Sequence, residues 1–167
     1  YNVANGYGAL RNNITGTQNS AYGNGALRNN ITGNYNVANG MQSLLYNTGD
    51  NNVATGYNSL KSNLTGNMNT AYGDSAGNNN RTTNNNTFLG AYADLDSVGA
   101  LWTASTAIGY QAKVTASNQI MLGTASETVK IPGPKLDVAG DIDFTGSLLN
   151  NGTAFVSGAT DLSGLSD

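Results

Sequence analysis

The sequence contains no histidine and no cysteine, and Glu127 is the one glutamate among its 167 residues. Ser–His and Cys–His nucleophilic pairs are therefore excluded, and so are disulfides and thiol chemistry. Charged residues make up 10% of the chain, against about a quarter in ordinary globular domains. Because the net charge is −3 and no run of Lys or Arg is present, we expect no nucleic-acid binding. No stretch is apolar for the length of a membrane span, so we also expect no membrane insertion.

Large apolar residues are scarce, and asparagine and glycine take their place. The chain has 22 glycines, and 24 of its asparagines fall in residues 1–100 with only three beyond. A compact globule of this length needs more Leu, Ile and Phe to offset its conformational entropy. The composition therefore predicts either a stack of thin coils or a core completed by other chains.

A short unit that reads Asn-x-Ala-x-Gly in its best copies recurs eight times. Its glycines are 17, 17, 16, 17, 17, 19 and 14 residues apart, and the residue two before the glycine is Ala in six copies. The glycines of the unit are Gly6, Gly23, Gly40, Gly56, Gly73, Gly90, Gly109 and Gly123. Eight copies at near-constant spacing indicate a tandem-repeat solenoid, because no 3.6-residue helical period is present.

Each repeat is predicted to contain two short strands and two turns. Asn5 and Asn39 precede glycine as in a hairpin turn, but the same column also holds residues such as Tyr22 and Leu89, which favour a strand. The Ala column, together with the glycine, is expected to mark a face where backbones approach closely, with the adjacent columns on the other face. A second turn, Asn-Ile-Thr-Gly in the first two copies, closes the unit, and we expect positive φ at its glycine.

The chain divides into four segments. Residues 1–90 are regular repeats of about 17 residues, and residues 91–131 are degenerate repeats with a longer loop that carries Trp102. Residues 132–155 begin with Pro-Gly-Pro and continue with apolar residues at even positions, which predicts a strand with one apolar face. Residues 156–167 are interpreted as a linker or the start of a truncated next segment.

The repeats typified by Asn69–Gly73 and Ala9–Gly16 resemble the head repeats of YadA-type trimeric adhesins. They resemble even more closely the repeats of phage and large-virus tail fibres and of some secreted bacterial surface proteins. Residues 135–155 are similar to the β-shaft that follows such repeats in viral fibres. The resemblance implies a left-handed parallel β-roll, a homotrimer with two further copies of the chain, and an extracellular location on a virion fibre or cell surface. A thin two-strand coil also has little interior, so we expect partner chains to cover one face.

These observations predict a structural or receptor-binding segment of a trimeric surface fibre that attaches to a host glycan or protein. We predict no enzymatic activity, no cofactor and no metal. An ice-binding solenoid is the alternative, and a polysaccharide-degrading fibre is a weaker one that depends on the acid pairs. Those pairs, Asp94 with Asp96 and Asp141 with Asp143, are interpreted as solvated acids because neither has the ligand count of a calcium loop.

Three groups of residues are candidates for receptor contact. Trp102 lies in the longest loop, and Tyr7, Tyr57 and Tyr110 share the column after the repeat glycine. The third group is the basic column formed by Arg11, Arg28 and Lys61. Packing between coils is the alternative for the tyrosines, and a solvated ladder that prevents lateral aggregation is the alternative for the basic residues.

Six asparagines begin an Asn-x-Thr glycosylation motif, namely Asn13, Asn30, Asn63, Asn80, Asn85 and Asn151. Most of these motifs coincide with the second turn of a repeat. We therefore interpret them as turn residues, and we expect asparagines stacked along the solenoid to bond to one another as ladders.

Overall fold

The structure is a computed structural model that describes residues 1–130, 149–150 and 153–154. The chain divides into two compact units, Tyr1–Val129 and Lys130–Asp167. In the second unit the described residues form two strands, β11 (Leu149–Asn150) and β12 (Thr153–Ala154), which pair antiparallel. The β-shaft predicted for residues 132–155 and the segment 156–167 lie mostly or wholly outside the described residues.

The first unit is built around one parallel sheet of eight three-residue strands, one from each repeat. The strands are β1 (Val3–Asn5), β2 (Ser20–Tyr22), β3 (Val37–Asn39), β4 (Val53–Thr55), β5 (Thr70–Tyr72), β6 (Thr87–Leu89), β8 (Thr106–Ile108) and β10 (Ile120–Leu122). A second parallel pair joins β7 (Asp94–Leu95) to β9 (Lys113–Val114). The described residues contain no helix, and the prediction of an all-β tandem-repeat solenoid is confirmed.

The alanine column fixes the register and the inward face of the sheet. Ala21 pairs with Ala38 and Ala38 with Ala54, and all three are fully buried. Their neighbours Val37 and Val53 point outward, each with 39% of its surface exposed. This is the two-residue alternation that a strand imposes. Asn5 and Asn39 lie in strands, so the rejection of a hairpin turn at these asparagines is confirmed.

The prediction of two strands in every repeat is wrong for the first five coils. Their second halves are turns, and Leu10, Leu27, Leu44 and Leu60 adopt left-handed φ values between 47° and 50°. That conformation costs about 1–2 kcal/mol for an L-residue, whereas burying a leucine contributes about 1.5–3 kcal/mol. Burial therefore outweighs the strain. The second strand forms only in the later coils, where Asp94 and Lys113 replace the leucine.

The glycines of the second turn serve close packing rather than positive φ, so that expectation is also wrong. None of Gly16, Gly33, Gly49 and Gly66 has φ in the left-handed region. A Cβ on any of them would overlap the carbonyl oxygen of the equivalent residue in the next coil. Glycine is needed here because it lets the backbones of two coils approach each other.

Two asparagine ladders fill the rest of the interior. The prediction that stacked asparagines bond to one another is confirmed, but their burial was not predicted. Nine ladder asparagines are at most 1% exposed: Asn19, Asn36, Asn52, Asn69 and Asn86 in one column, and Asn30, Asn47, Asn63 and Asn80 in the other. Asn36 shows the pattern, because its Nδ2 donates to the Gly49 carbonyl at 2.8 Å and its Oδ1 accepts from the Asn52 amide at 2.9 Å. One chain thus fills the interior of its own coils, while outward apolar residues such as Val37 and Val53 stay exposed. The expectation that partner chains cover one face therefore stays a prediction.

A size exchange interrupts the core in the sixth coil. Phe88 replaces the usual alanine, and Gly77 of the fifth coil replaces the usual leucine. A Cβ on Gly77 would lie 2.6 Å from Phe88 Cδ2 and 2.8 Å from Leu60 Cδ2. The phenyl ring therefore occupies the space that a leucine side chain fills in the earlier coils.

This exchange predicts strong coupling between the two positions. Phe88→Ala alone leaves a cavity and should cost about 3 kcal/mol, and Gly77→Leu alone overpacks the core by about 1–3 kcal/mol. The double variant restores the ordinary Ala and Leu columns, so its loss should be smaller than the sum by about 2 kcal/mol. Urea unfolding of the four proteins measures this, and additive losses would contradict the assignment.

Candidate functional site

The tyrosines predicted to contact a receptor lie on the surface but not next to one another. Tyr7, Tyr57 and Tyr110 are 78%, 45% and 58% exposed. Each is three coils from the next, a separation of about 14 Å at the spacing of paired strands. Tyr110 makes an edge-to-face contact with Tyr92, whose ring centroid is 6.1 Å away. The tyrosines are therefore separate exposed rings with one local pair.

The basic column is discontinuous. Arg11 is exposed, Arg28 and Lys61 are half-buried, and Leu45, which occupies the column between them, is buried. None of the three basic side chains forms a salt bridge within the part of the chain that the structure describes. The structure thus brings Arg11 and Arg28 together in adjacent coils and leaves Lys61 two coils away.

Trp102 packs against the core instead of projecting from its loop. It is half-buried, contacts the hydrophobic cluster, and donates its indole N–H to Asp96 Oδ1 at 3.0 Å. Its carbonyl oxygen accepts from Asn86 Nδ2 at 2.9 Å, which extends one asparagine ladder into the loop. Trp102 is therefore held by Asp96 through its indole and by Asn86 through its backbone carbonyl, and only part of its ring faces solvent.

Asp94 is the residue whose environment the sequence did not predict. It is 3% exposed, so its interpretation as a solvated acid is wrong, whereas Asp96 is exposed. Asp94 accepts from the amides of Asn79 and Leu95 at 2.9 and 2.8 Å, and Lys113 Nζ lies 4.0 Å from its Oδ2. Burial raises the pKa of Asp94 to about 6 and outweighs these interactions, each of which lowers the pKa.

This pKa predicts that Asp94 makes the protein more stable in acid. Because the folded pKa of about 6 exceeds the ordinary aspartate pKa of 3.8, the folded state binds the proton more tightly. The stabilisation is complete below pH 3.8 and is lost as the pH rises through 6. Between pH 7.5 and pH 4, wild type should gain about 2–3 kcal/mol relative to Asp94→Asn in urea unfolding. Parallel pH profiles for the two proteins would contradict the prediction.

The outward side of the eight-stranded sheet is a surface to which every repeat contributes. We call it the outer sheet face, and it consists of Val3, Asn5, Ser20, Tyr22, Val37, Asn39, Val53, Thr55, Thr70, Tyr72, Thr87, Leu89, Thr106, Ile108, Ile120 and Leu122. None of these residues is charged. Its last coils are the most apolar, with Leu89, Ile120 and Leu122 at 46%, 71% and 45% exposure.

The acidic residues that the structure describes do not form a shared site. No group of three or more His, Cys, Asp or Glu side chains is placed to hold a metal ion within residues 1–130, 149–150 and 153–154. Asp94 faces the interior and Asp96 bonds to Trp102, so the two carboxylates do not converge on a common site. The pair Asp141 and Asp143 lies outside the described residues. A shallow depression of about 260 Å³ near Lys113 and Met121 is mostly apolar.

Comparisons with known proteins do not add a relative. No family model, no curated protein and no solved structure matches the chain. Within the described residues there is also no helix with the length and apolarity of a membrane span.

Proposed function

We propose that this chain is a structural and receptor-binding segment of a trimeric extracellular fibre, such as a viral tail fibre or a surface adhesin. In this proposal the coils form a left-handed β-roll that continues into a β-shaft, and three parallel copies associate along their length. The segment spaces and displays a surface that attaches to a glycan or protein of a host or partner cell.

The uncharged outer sheet face is the observation that carries the proposal. Sixteen outward positions in eight coils contain no charge, although seven Lys and Arg and ten Asp and Glu are present elsewhere in the chain. Burying such a face against other copies removes no ion from water, and charged residues are depleted at the centres of interfaces. Its parallel, in-register strands give every coil the same outward geometry, which suits association along the whole face.

Sedimentation equilibrium of two matched variants tests this association. The wild type is expected to sediment at three times the chain mass of 17.2 kDa. Val53→Lys places a charge on the outer sheet face and should shift the protein toward monomer. Leu64→Lys is the control, because Leu64 is in the following turn and is 41% exposed, against 39% for Val53. A monomeric wild type, or two variants with equal association, would contradict the proposal.

The two alternatives have less support. An ice-binding face favours a flat, regular array, and Tyr22 and Tyr72 interrupt the outer sheet face with large rings. Thr70, Thr87 and Thr106 follow one another in successive coils, but no second threonine column accompanies them. A polysaccharide-degrading fibre would depend on Asp94 and Asp96, whose carboxylates are separated as described above.

A further inference from the structure

The interior ladders give three glycosylation motifs an unusual position. Asn30, Asn63 and Asn80 each begin an Asn-x-Thr acceptor sequence, and each is fully buried. Asn85 begins a fourth such motif, and its side chain is exposed. Acceptor motifs normally lie in surface loops, because the attached glycan is bulky and needs solvent. The solenoid therefore contains both buried and exposed glycosylation asparagines in neighbouring coils.

The nitrogen atom that accepts the glycan is the atom that holds the ladder together. Asn63 Nδ2 donates one proton to Asn47 Oδ1 at 2.7 Å and the other to the Gly66 carbonyl at 2.9 Å. Asn30 Nδ2 likewise donates to Asn13 Oδ1 and to the Gly33 carbonyl, both at 2.9 Å. Each of these nitrogens uses both of its protons inside the coil, and close packing around it leaves no room for a sugar ring.

We propose that N-glycosylation of Asn30, Asn63 or Asn80 blocks folding of the solenoid, whereas glycosylation of Asn85 is compatible with the folded coil. In the modification, Nδ2 attacks the anomeric carbon of a glycosyl pyrophosphate donor. A carbon–nitrogen bond forms, the carbon–oxygen bond to the pyrophosphate breaks, and one Nδ2 proton is released. In the glycosylated asparagine, Nδ2 keeps one proton, whereas the ladder needs two. The side chain also carries a sugar that the interior cannot contain. One of the two oxygens that accepted a hydrogen bond from Nδ2 is also left without a donor in the core.

The order of events makes this block effective. The acceptor asparagines are accessible only before the coil closes, so a glycosylating compartment modifies them in the unfolded chain. Each modified ladder position then prevents its coil from stacking on the next, and stacking supplies the stability of a repeat protein. The chain therefore folds only by a route that does not expose it to the transferase beforehand.

Single-acceptor chains secreted from a eukaryotic cell test the proposal. The Asn63 chain keeps only the motif at Asn63, and the Asn85 chain keeps only the motif at Asn85. The other acceptor motifs are removed by substitutions taken from the set Thr15→Ala, Thr32→Ala, Thr65→Ala, Thr82→Ala, Thr87→Val and Thr153→Ala. Thr15, Thr32, Thr65 and Thr82 are exposed, so their removal leaves the ladders intact. Both chains made in the bacterial cytoplasm, without glycosylation, serve as folding controls and should melt cooperatively.

Glycan occupancy is measured by intact mass, and folding by thermal melting and resistance to protease. The glycosylated Asn85 chain should melt cooperatively, within a few degrees of its unglycosylated form. Asn63 chains that carry a glycan should show complete loss of the cooperative transition and of protease resistance, even after the glycan is trimmed to one sugar. Glycosylated Asn63 chains that fold would overturn the proposal. Secretion of Asn63 chains that are folded and wholly unmodified would also overturn it, because the acceptor would then never be used before folding.

Discussion

Asn52→Asp should destabilise the protein by about 4–5 kcal/mol at neutral pH, because it places an unpaired charge in the interior. Asn52 is fully buried, and its Nδ2 donates to the Gly66 carbonyl at 2.8 Å and to Asn36 Oδ1 at 3.2 Å. A carboxylate has no proton to donate, so it would face these two acceptor oxygens in a site without solvent. Folded domains are stable by about 5–15 kcal/mol, so this one substitution removes much or all of the stability.

Asn51→Asp is the matched control for this prediction. Asn51 immediately precedes Asn52, and its substitution by Asp adds the same negative charge. The side chain of Asn51 is exposed, however. Its φ of 58° is one that Asp tolerates well. Urea unfolding at pH 7 should show a loss below about 0.5 kcal/mol for this variant, as for most surface substitutions. If both aspartates cost the same free energy, the asparagine ladder is not the interior of the coil.

Gly56→Ala should cost about 4 kcal/mol, from backbone strain and a clash together. Gly56 has a φ of 128°, and a Cβ there would lie 2.7 Å from the Gly73 carbonyl carbon and 3.2 Å from the Asp74 amide nitrogen. These are backbone atoms of the next coil, and they cannot move without opening the sheet between β4 and β5. The Ala substitution therefore acts on the contact between coils rather than on one turn.

Gly99→Ala separates the contribution of backbone strain from that of the clash. Gly99 has a φ of 88°, and a Cβ there would meet no atom within 4 Å. Only the conformational cost remains, so the expected loss is about 1 kcal/mol. Thermal or urea unfolding of the two variants compares them directly. Equal losses would mean that the coils are not in close backbone contact at Gly56.

Repeat spacing was enough to predict the columns of the sheet. A constant offset between copies superimposes Ala21, Ala38 and Ala54, and the two-residue alternation of a strand then separates the columns into two faces. The same comparison decided that Asn39 is in a strand, because Tyr22 and Leu89 occupy its column. These features can be predicted from the sequence because several copies of the repeat have the same residue types at equivalent positions.

Local residue preferences were a poor guide to the turns. Leucine rarely adopts positive φ, so nothing in the sequence near Leu27 or Leu44 indicated a left-handed turn. Burial in the coil overrides that preference, and burial is a tertiary effect. For Gly33 and Gly49, the sequence cannot distinguish a glycine needed for its φ from one needed for space. The carbonyl of the next coil decides, and its position is known only from the structure.

The surroundings of Asp94 and Trp102 are not evident from their immediate sequence. The sequence near Asp94 indicates a solvated acid, yet Asp94 lies four residues after Gly90, in the column of Leu27 and Leu44, and that register is a usable signal of burial. Trp102 lies in a long loop, which favours a contact role, but loop length does not show whether the ring packs back onto the core. Whether Trp102, the tyrosines or the basic column contact a receptor stays a prediction.

Hydrogen exchange of the asparagine side-chain amides, followed by NMR, tests the central claim about this fold most directly. The Nδ2 protons of Asn19, Asn36 and Asn69 should exchange only through unfolding, at rates that report the stability of the coil stack. Those of the exposed Asn24 and Asn51 should exchange almost as fast as in a free peptide. Equally fast exchange at all five residues would contradict an interior built from asparagine ladders.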